Sequence, residues 1–164
     1  SEFILEAAPN TKVIVHVDND FLTADETEKL KNKIESCGAK AFITEGSDIE
    51  SYFIKPEHIS ELLGEKQEQI EIWLNELALA EHNKLVHKFS RKRDEAKNKL
   101  YKNADAPDTL KLMGNQVPLP PDKRLGKFML SLVRSSMHTR FGKEVNLLAG
   151  SGYLYSKFLR DFAQ

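Results

Sequence analysis

The stretch Val13-Ile14-Val15-His16-Val17-Asp18-Asn19-Asp20 decides the fold. Its apolar, β-branched run shows no polar alternation and reads as a central parallel strand over residues 12–17, buried on both faces. His16 reads as a packed member of that strand. Two carboxylates follow at once. In an open α/β sheet, ligands gather outside the carboxyl ends of the strands, and alternate residues of an extended segment share one side. Asp18 and Asp20 are therefore candidate ligands for a hard divalent cation, Mg²⁺ or Mn²⁺, which takes oxygen donors. The bland alternative is a loop that caps the next helix.

Working outward, Thr23 and Glu26 form a capping-box pattern, Leu30 and Ile34 mark an apolar stripe, and Gly38 sits where a left-handed residue ends a helix. Ala41-Phe42-Ile43-Thr44 then reads as a second strand. A strand, a helix and a strand make a βαβ unit, which is parallel and right-handed in nearly all cases, so both strand ends point the same way. The second strand runs into Glu45-Gly46-Ser47-Asp48-Ile49-Glu50-Ser51-Tyr52-Phe53, which brings further acids to the edge of Asp18 and Asp20. Glu45 and Glu50 are the preferred additional ligands, and at least one acid of this turn is an ordinary solvated residue. Asp25 and Glu26 are read as structural, favoured by the positive end of the helix.

After Pro56 the pattern predicts a short helix ending near Gly64, then one long helical stretch from about Lys66 to Lys102. Ile70, Trp73, Leu74, Leu77, Leu85, Phe89, Ala96 and Leu100 recur at three-to-four spacing along it. Its first half is acidic and its second half basic. Within the basic half, Lys88, Arg91 and Lys92 are candidates for contact with a nucleic-acid backbone, with Phe89 and Tyr101 alongside; the competing reading is a solvated face. Four prolines between Asn103 and Leu125, at 107, 118, 120 and 121, predict a loop without regular helix. Gly126-Lys127 opens a helix through Met129, Leu132, Val133 and Met137 that closes at Gly142, and a last helix carries Tyr153, Leu154, Phe158, Leu159 and Phe162. Lys127, after a glycine at a helix start, is the candidate to offset charge on a phosphate in its transition state.

Composition narrows the function classes. The 164 residues correspond to one domain with an ordinary core, and the formal charge of −1 means that affinity for nucleic acid rests on local clustering. The single cysteine, Cys37, forms no internal disulfide and reads as a small packed residue of a cytoplasmic protein. The five histidines show no ligand spacing, which argues against zinc, and no apolar run has the length of a membrane span. A phosphorylated receiver domain also ends a strand in acids, but it needs a regular βα repeat that this chain lacks.

The order of Val-Ile-Val-His-Val-Asp18-Asn-Asp20-Phe, Gly46-Ser-Asp-Ile-Glu50-Ser-Tyr-Phe, Leu125-Gly126-Lys127-Phe and Leu159-Arg-Asp-Phe resembles the Toprim domain of OLD-family (overcoming lysogenization defect) nucleases and related phage-defence proteins. The resemblance implies an α/β fold with a Toprim-like parallel sheet core, a long helical insertion and C-terminal helices. In this reading one domain over 1–164 comprises a βαβ core (4–56), a helical insertion (57–103), a Pro-rich loop (104–125) and C-terminal helices (126–164). It further implies two divalent metals, with Asp18, Asp20 and a downstream acid as ligands, Lys127 as the late catalytic lysine, and cleavage of DNA more than RNA. An ABC-type ATPase domain or subunit is the implied partner, and no phosphate-binding Gly-x-x-x-x-Gly-Lys-Ser/Thr loop occurs in this chain. The family pattern begins with a glutamate on an earlier strand. Only 17 residues precede Asp18, and Glu6 lacks the glycine that follows that glutamate. The expectation is a carboxyl-terminal portion of a longer chain, lacking its first βα segment. The alternative is a non-catalytic interaction or sensor module, and the long helix serves either as an internal prop or as a homodimer contact.

Overall fold

A computed structural model describes residues 11–101 and 105–163, with side chains as far as Lys157. Glu6, Lys102 and the side chains of Phe158, Leu159 and Phe162 lie outside the described residues. The fold is mixed α/β and mostly helical, with a small parallel sheet. Strand β1 (Ile14–Val17) pairs in parallel with β2 (Lys40–Ile43), Ile14 opposite Lys40 and Val17 opposite Ile43. Between them lies α1 (Ala24–Glu35). Its capping box is formed: Thr23 Oγ1 accepts the Glu26 N–H at 3.3 Å, and Glu26 Oε2 accepts the Thr23 N–H at 2.7 Å. Gly38 takes the left-handed conformation expected of it, φ 74°.

The strand itself departs from expectation. Its residues alternate between exposed and half-buried, Ile14 is 49% exposed and His16 is exposed, its ring stacked loosely on Phe42. Among the described residues the sheet has two strands, so each keeps an open edge. The β-branched run reflects strand propensity here and not burial on two faces.

The main core lies among the helices. After a 3₁₀ turn (Ile49–Ile54) come α2 (Pro56–Leu63), α3 (Gln67–Ala80) and α4 (His82–Leu100). The predicted single helix is thus two. Glu81, at φ −109° and ψ 20°, interrupts it without glycine or proline, and the break lets Ile70, Trp73, Leu74 and Ala78 on one segment and Leu85 on the next enter the same apolar cluster. The proline-containing segment is also less irregular than predicted. Asp108 caps a short helix α5 (Thr109–Met113) by accepting the Lys111 N–H at 2.9 Å, and a 3₁₀ turn spans Pro121–Lys123. The prolines all lie outside α5, which is why the helix is permitted.

Helix α6 (Gly126–Phe141) supplies Met129, Leu130, Val133 and Met137 to the core and stops at left-handed Gly142, as predicted. The closing α7 (Gly152–Ala163) starts beside Glu61, whose carboxylate accepts the N–H groups of Gly152 and Tyr153. Fully buried His58 ties the intervening loop down through Ser151 Oγ at 2.7 Å and Leu147 O at 2.8 Å, a structural use of both ring nitrogens. Cys37 is half-buried, its thiol near the Lys33 carbonyl. Among the described residues no helix is long and apolar enough to cross a membrane.

Candidate functional site

The two strand ends are sewn to each other by their loops. The Asn19 N–H donates to Thr44 Oγ1 at 2.9 Å, that hydroxyl donates to the Gly46 carbonyl at 2.8 Å, and the Asp20 N–H donates to the Ser47 carbonyl at 2.8 Å. Asp20 and Phe21 both have positive φ, 49° and 63°. Two consecutive non-glycine residues in this region carry strain that the surroundings must hold in place. What holds them is specific: the Phe21 ring packs 4.6 Å from Phe89 in a small cluster with Leu125, and the Asp20 carboxylate lies 2.8 Å from the Lys92 ammonium. The turn therefore hooks the βαβ unit onto α4.

Asp48 is the centre of the edge. It begins the 3₁₀ turn, with Oδ1 accepting the Ser51 N–H at 3.1 Å and the Ser51 hydroxyl at 3.0 Å, while Oδ2 accepts the Lys127 N–H at 3.0 Å. Ser47 Oγ accepts the Gly126 N–H at 2.9 Å and donates to the Arg124 carbonyl at 3.2 Å. The amino terminus of α6 is thereby clamped onto the acidic turn. Gly126 is required for this close approach, since a Cβ there would run into the Asp48 carboxylate and Ser51. Burial raises the Asp48 pKa; the Lys127 N–H and Ser51 pull it down, and the charges of Glu50 and Asp18 push it further up. The charges of Asp18 and Glu50 thus both act on the buried Asp48 carboxylate beside the carboxyl ends of β1 and β2.

The other predicted residues distribute as follows. Asp18 Oδ1 accepts the Ile49 N–H at 3.2 Å and lies 3.5 Å from His16 Nε2, both side chains remaining substantially exposed. Asp20 is engaged with Lys92 at 2.8 Å. Glu45 is exposed and ion-paired with Lys157 at 2.6 Å, so it is the solvated acid of the turn. Lys127 has an exposed side chain beside the edge. Of the three basic candidates on α4, Lys92 reaches Asp20, Lys88 stacks 4.6 Å over the Phe128 ring, and Arg91 pairs with Glu95 one turn on. Phe89 is buried and serves the core instead of a ligand.

Glu26 is more than a helix-end acid. It is buried with Arg93, which donates from Nη1 and Nη2 at 2.7 and 3.0 Å, and the Tyr101 hydroxyl adds a bond of 2.7 Å. Burial alone would raise its pKa, yet the bonds from Arg93, Thr23 and Tyr101 outweigh it and hold the carboxyl at about 2. Arg93 also donates to the Phe21 carbonyl at 3.1 Å, bracing the strained turn from beneath.

Among the described residues no group of three or more His, Cys, Asp or Glu side chains is disposed to hold a metal ion. The donor set does fit the looser mode of Mg²⁺, in which one or two carboxylates hold an ion that keeps most of its waters. Asp18 and Glu50 are the carboxylates that could take that role, and Asp48, although its oxygens already accept three hydrogen bonds, retains lone pairs for a bridging water. Sequence reasoning passed over Asp48, Ser47 and Ser51. The signal for them was the Asp48-x-x-Ser51 cap pattern, which is formed in both directions. No family model matches the chain, nor does any curated protein or solved structure.

Proposed function

We propose that this chain is a divalent-metal-dependent nuclease domain that cleaves phosphodiester bonds, in DNA more than RNA. The observation that carries the proposal is Asp48, which accepts the Lys127 N–H at the amino terminus of α6 and feels the charges of both Asp18 and Glu50. Carboxylates gathered in this way repel one another, and a cation among them relieves the cost. Mg²⁺ or Mn²⁺, if held there by Asp18 and Glu50, would supply Lewis acidity toward a phosphate oxygen and an attacking water. Asp18 and Glu50 hold the ion, and Asp20 joins them once its contact with Lys92 is released. Lys127 offsets the charge developing on the phosphate, helped by the positive end of α6. Lys88, Arg91 and Lys92 meet the neighbouring phosphates along α4. The resemblance to the Toprim domain of OLD-family nucleases extends the proposal to phage defence in the cytoplasm, with an ABC-type ATPase domain or subunit as partner and homodimers as a further assembly.

A second reading, a non-catalytic interaction or sensor module, draws on the ion pairs Asp20–Lys92 and Glu45–Lys157, in which lysines of this chain neutralise two of the proposed ligands. Calorimetric titration of Mn²⁺, alongside Asp20→Ala and Asp18→Asn, separates the two. The nuclease reading expects saturable binding that both variants weaken. Absent binding, or binding indifferent to both substitutions, supports the module.

A further inference from the structure

Behind the acidic turn lies a cavity of about 520 Å³, bounded by the start of α2, the middle of α3 and the 3₁₀ turn at 121–123. Its size is that of a small-molecule or cofactor site. Arg124 lines it and is 5% exposed. Nε of Arg124 donates to the Leu119 carbonyl at 2.6 Å and Nη2 to Asn75 Oδ1 at 2.7 Å. Both partners are neutral, and the carboxylate of Asp122 acts on the guanidinium through its charge, partly offsetting the effect of burial. A guanidinium held rigidly by neutral groups in a cavity wall is preorganised to donate to an acceptor on a ligand. The cavity also carries carboxylates, Glu57, Glu71 and Asp122, and apolar surface from Ile54, Leu74 and Met129.

We infer that this cavity binds guanine as the base of a nucleotide. The occupant has to present acceptors to Arg124, donors to the carboxylates, and a flat apolar body to Leu74 and Met129. A simple anion fits only the first demand, and the surrounding acids repel it. Guanine offers O6 and N7 as acceptors to arginine, and its N1–H and N2–H₂ edge suits carboxylate oxygens. Adenine turns its amino group towards the arginine and leaves a lone pair facing the acids. Lys55 also lines the cavity and supplies a positive charge for the nucleotide phosphate. Glu45, Gly46 and Ser51 belong both to the cavity wall and to the acidic turn, so a base lodged there brings its backbone towards Asp18 and Asp48. Binding of the free nucleotide is independent of cleavage. Capture of a guanine within a strand rests on the nuclease reading above.

The test is calorimetric titration of the whole chain in EDTA, which silences any metal chemistry. Titrants are GMP, AMP and short single-stranded oligonucleotides carrying one guanine or one adenine among thymines. Expected is saturable binding of the guanine form at least ~10-fold tighter than the adenine form, the discrimination of one good base contact. GMP binding alone assigns the cavity to a free nucleotide, and tighter binding of the guanine oligonucleotide assigns it to a base in a strand. The surface double variant Glu57→Gln/Glu71→Gln removes the guanine preference without touching the core, and Arg124→Lys does the same if it folds. Absent guanine binding, equal affinity for guanine and adenine, or an unchanged preference in the double variant overturns the inference. Cleavage failing while GMP still binds removes only the nuclease reading.

Discussion

The Asp48 carboxylate accepts the backbone N–H of Lys127 at 3.0 Å across 79 residues of chain. This one contact joins the strand-end acids to the helix that carries the candidate catalytic lysine. Because it uses the backbone of Lys127, the side chain is left for other work. Asp48→Ala strips the acceptor from Ser51 and from the start of α6, and should cost about 1–3 kcal/mol, read as a fall in the urea midpoint at unchanged slope.

Lys127→Ala should leave that midpoint unmoved, since the hydrogen bond survives. Cleavage by this variant should fall by about 10²–10³ in kcat, the usual effect of removing one electrostatic contact to the transition state. An equal fall in stability and activity would make Lys127 a structural residue.

The Glu26–Arg93 pair is the principal buried ionic contact between α1 and α4. Breaking one side leaves a buried charge alone, so Arg93→Met should destabilise the chain by about 3–5 kcal/mol, and adding Glu26→Leu should restore much of that. Denaturant melts of the single and double variants measure both. Tyr101→Phe removes only one hydrogen bond and should cost about 1 kcal/mol.

Stability should depend on pH through two groups of opposite sign. Glu26 is depressed from 4.5 to about 2 in the folded chain, so its contribution is present above pH 4.5 and lost as pH falls towards 2, about 3 kcal/mol in all. Asp48 is raised above 3.8, so its contribution is present below that pH and lost as pH rises through its folded value. Acid therefore removes one contribution while restoring the other. Melts from pH 6 to 2 should show Glu26→Gln with a shallower acid decline and Asp48→Asn with a steeper one.

Lys92 is held at 2.8 Å from Asp20, and the acids Asp20, Glu95 and Asp18 raise its pKa against the effect of burial. Lys92→Gln should tighten Mn²⁺ binding several-fold by freeing Asp20, while weakening contact with DNA at low salt. Titrating metal in the absence of DNA isolates the first effect. Weaker metal binding in this variant would place Asp20 outside the metal site.

What was legible in the sequence was local. Thr23 with Glu26, Gly38 and Gly142 announced their helix ends because capping depends on residues a few positions apart. The strand at 14–17 was found, yet its burial was overstated, since a β-branched run reports backbone preference and not the neighbours that cover it. The interruption at Glu81 left no trace because nothing in Ala80-Glu81-His82 breaks a helix. Arg93 was hidden inside a basic run whose other members face solvent or surface acids. Asp48 read as one acid among several because its defining partner, Lys127, is far away in the chain. Asp18 and Glu45 were singled out by strand-end position and Glu50 by its place beside Tyr52-Phe53, whereas the lysine partners of Asp20 and Glu45 come from distant helices.

The most direct test of the central claim is nicking of supercoiled plasmid by this chain with Mn²⁺, run beside Asp18→Asn. The account predicts conversion to open circles by the parent chain, its loss in the variant, and its abolition by EDTA. Plasmid that stays supercoiled with the parent chain, or nicking that persists in the variant, would contradict it.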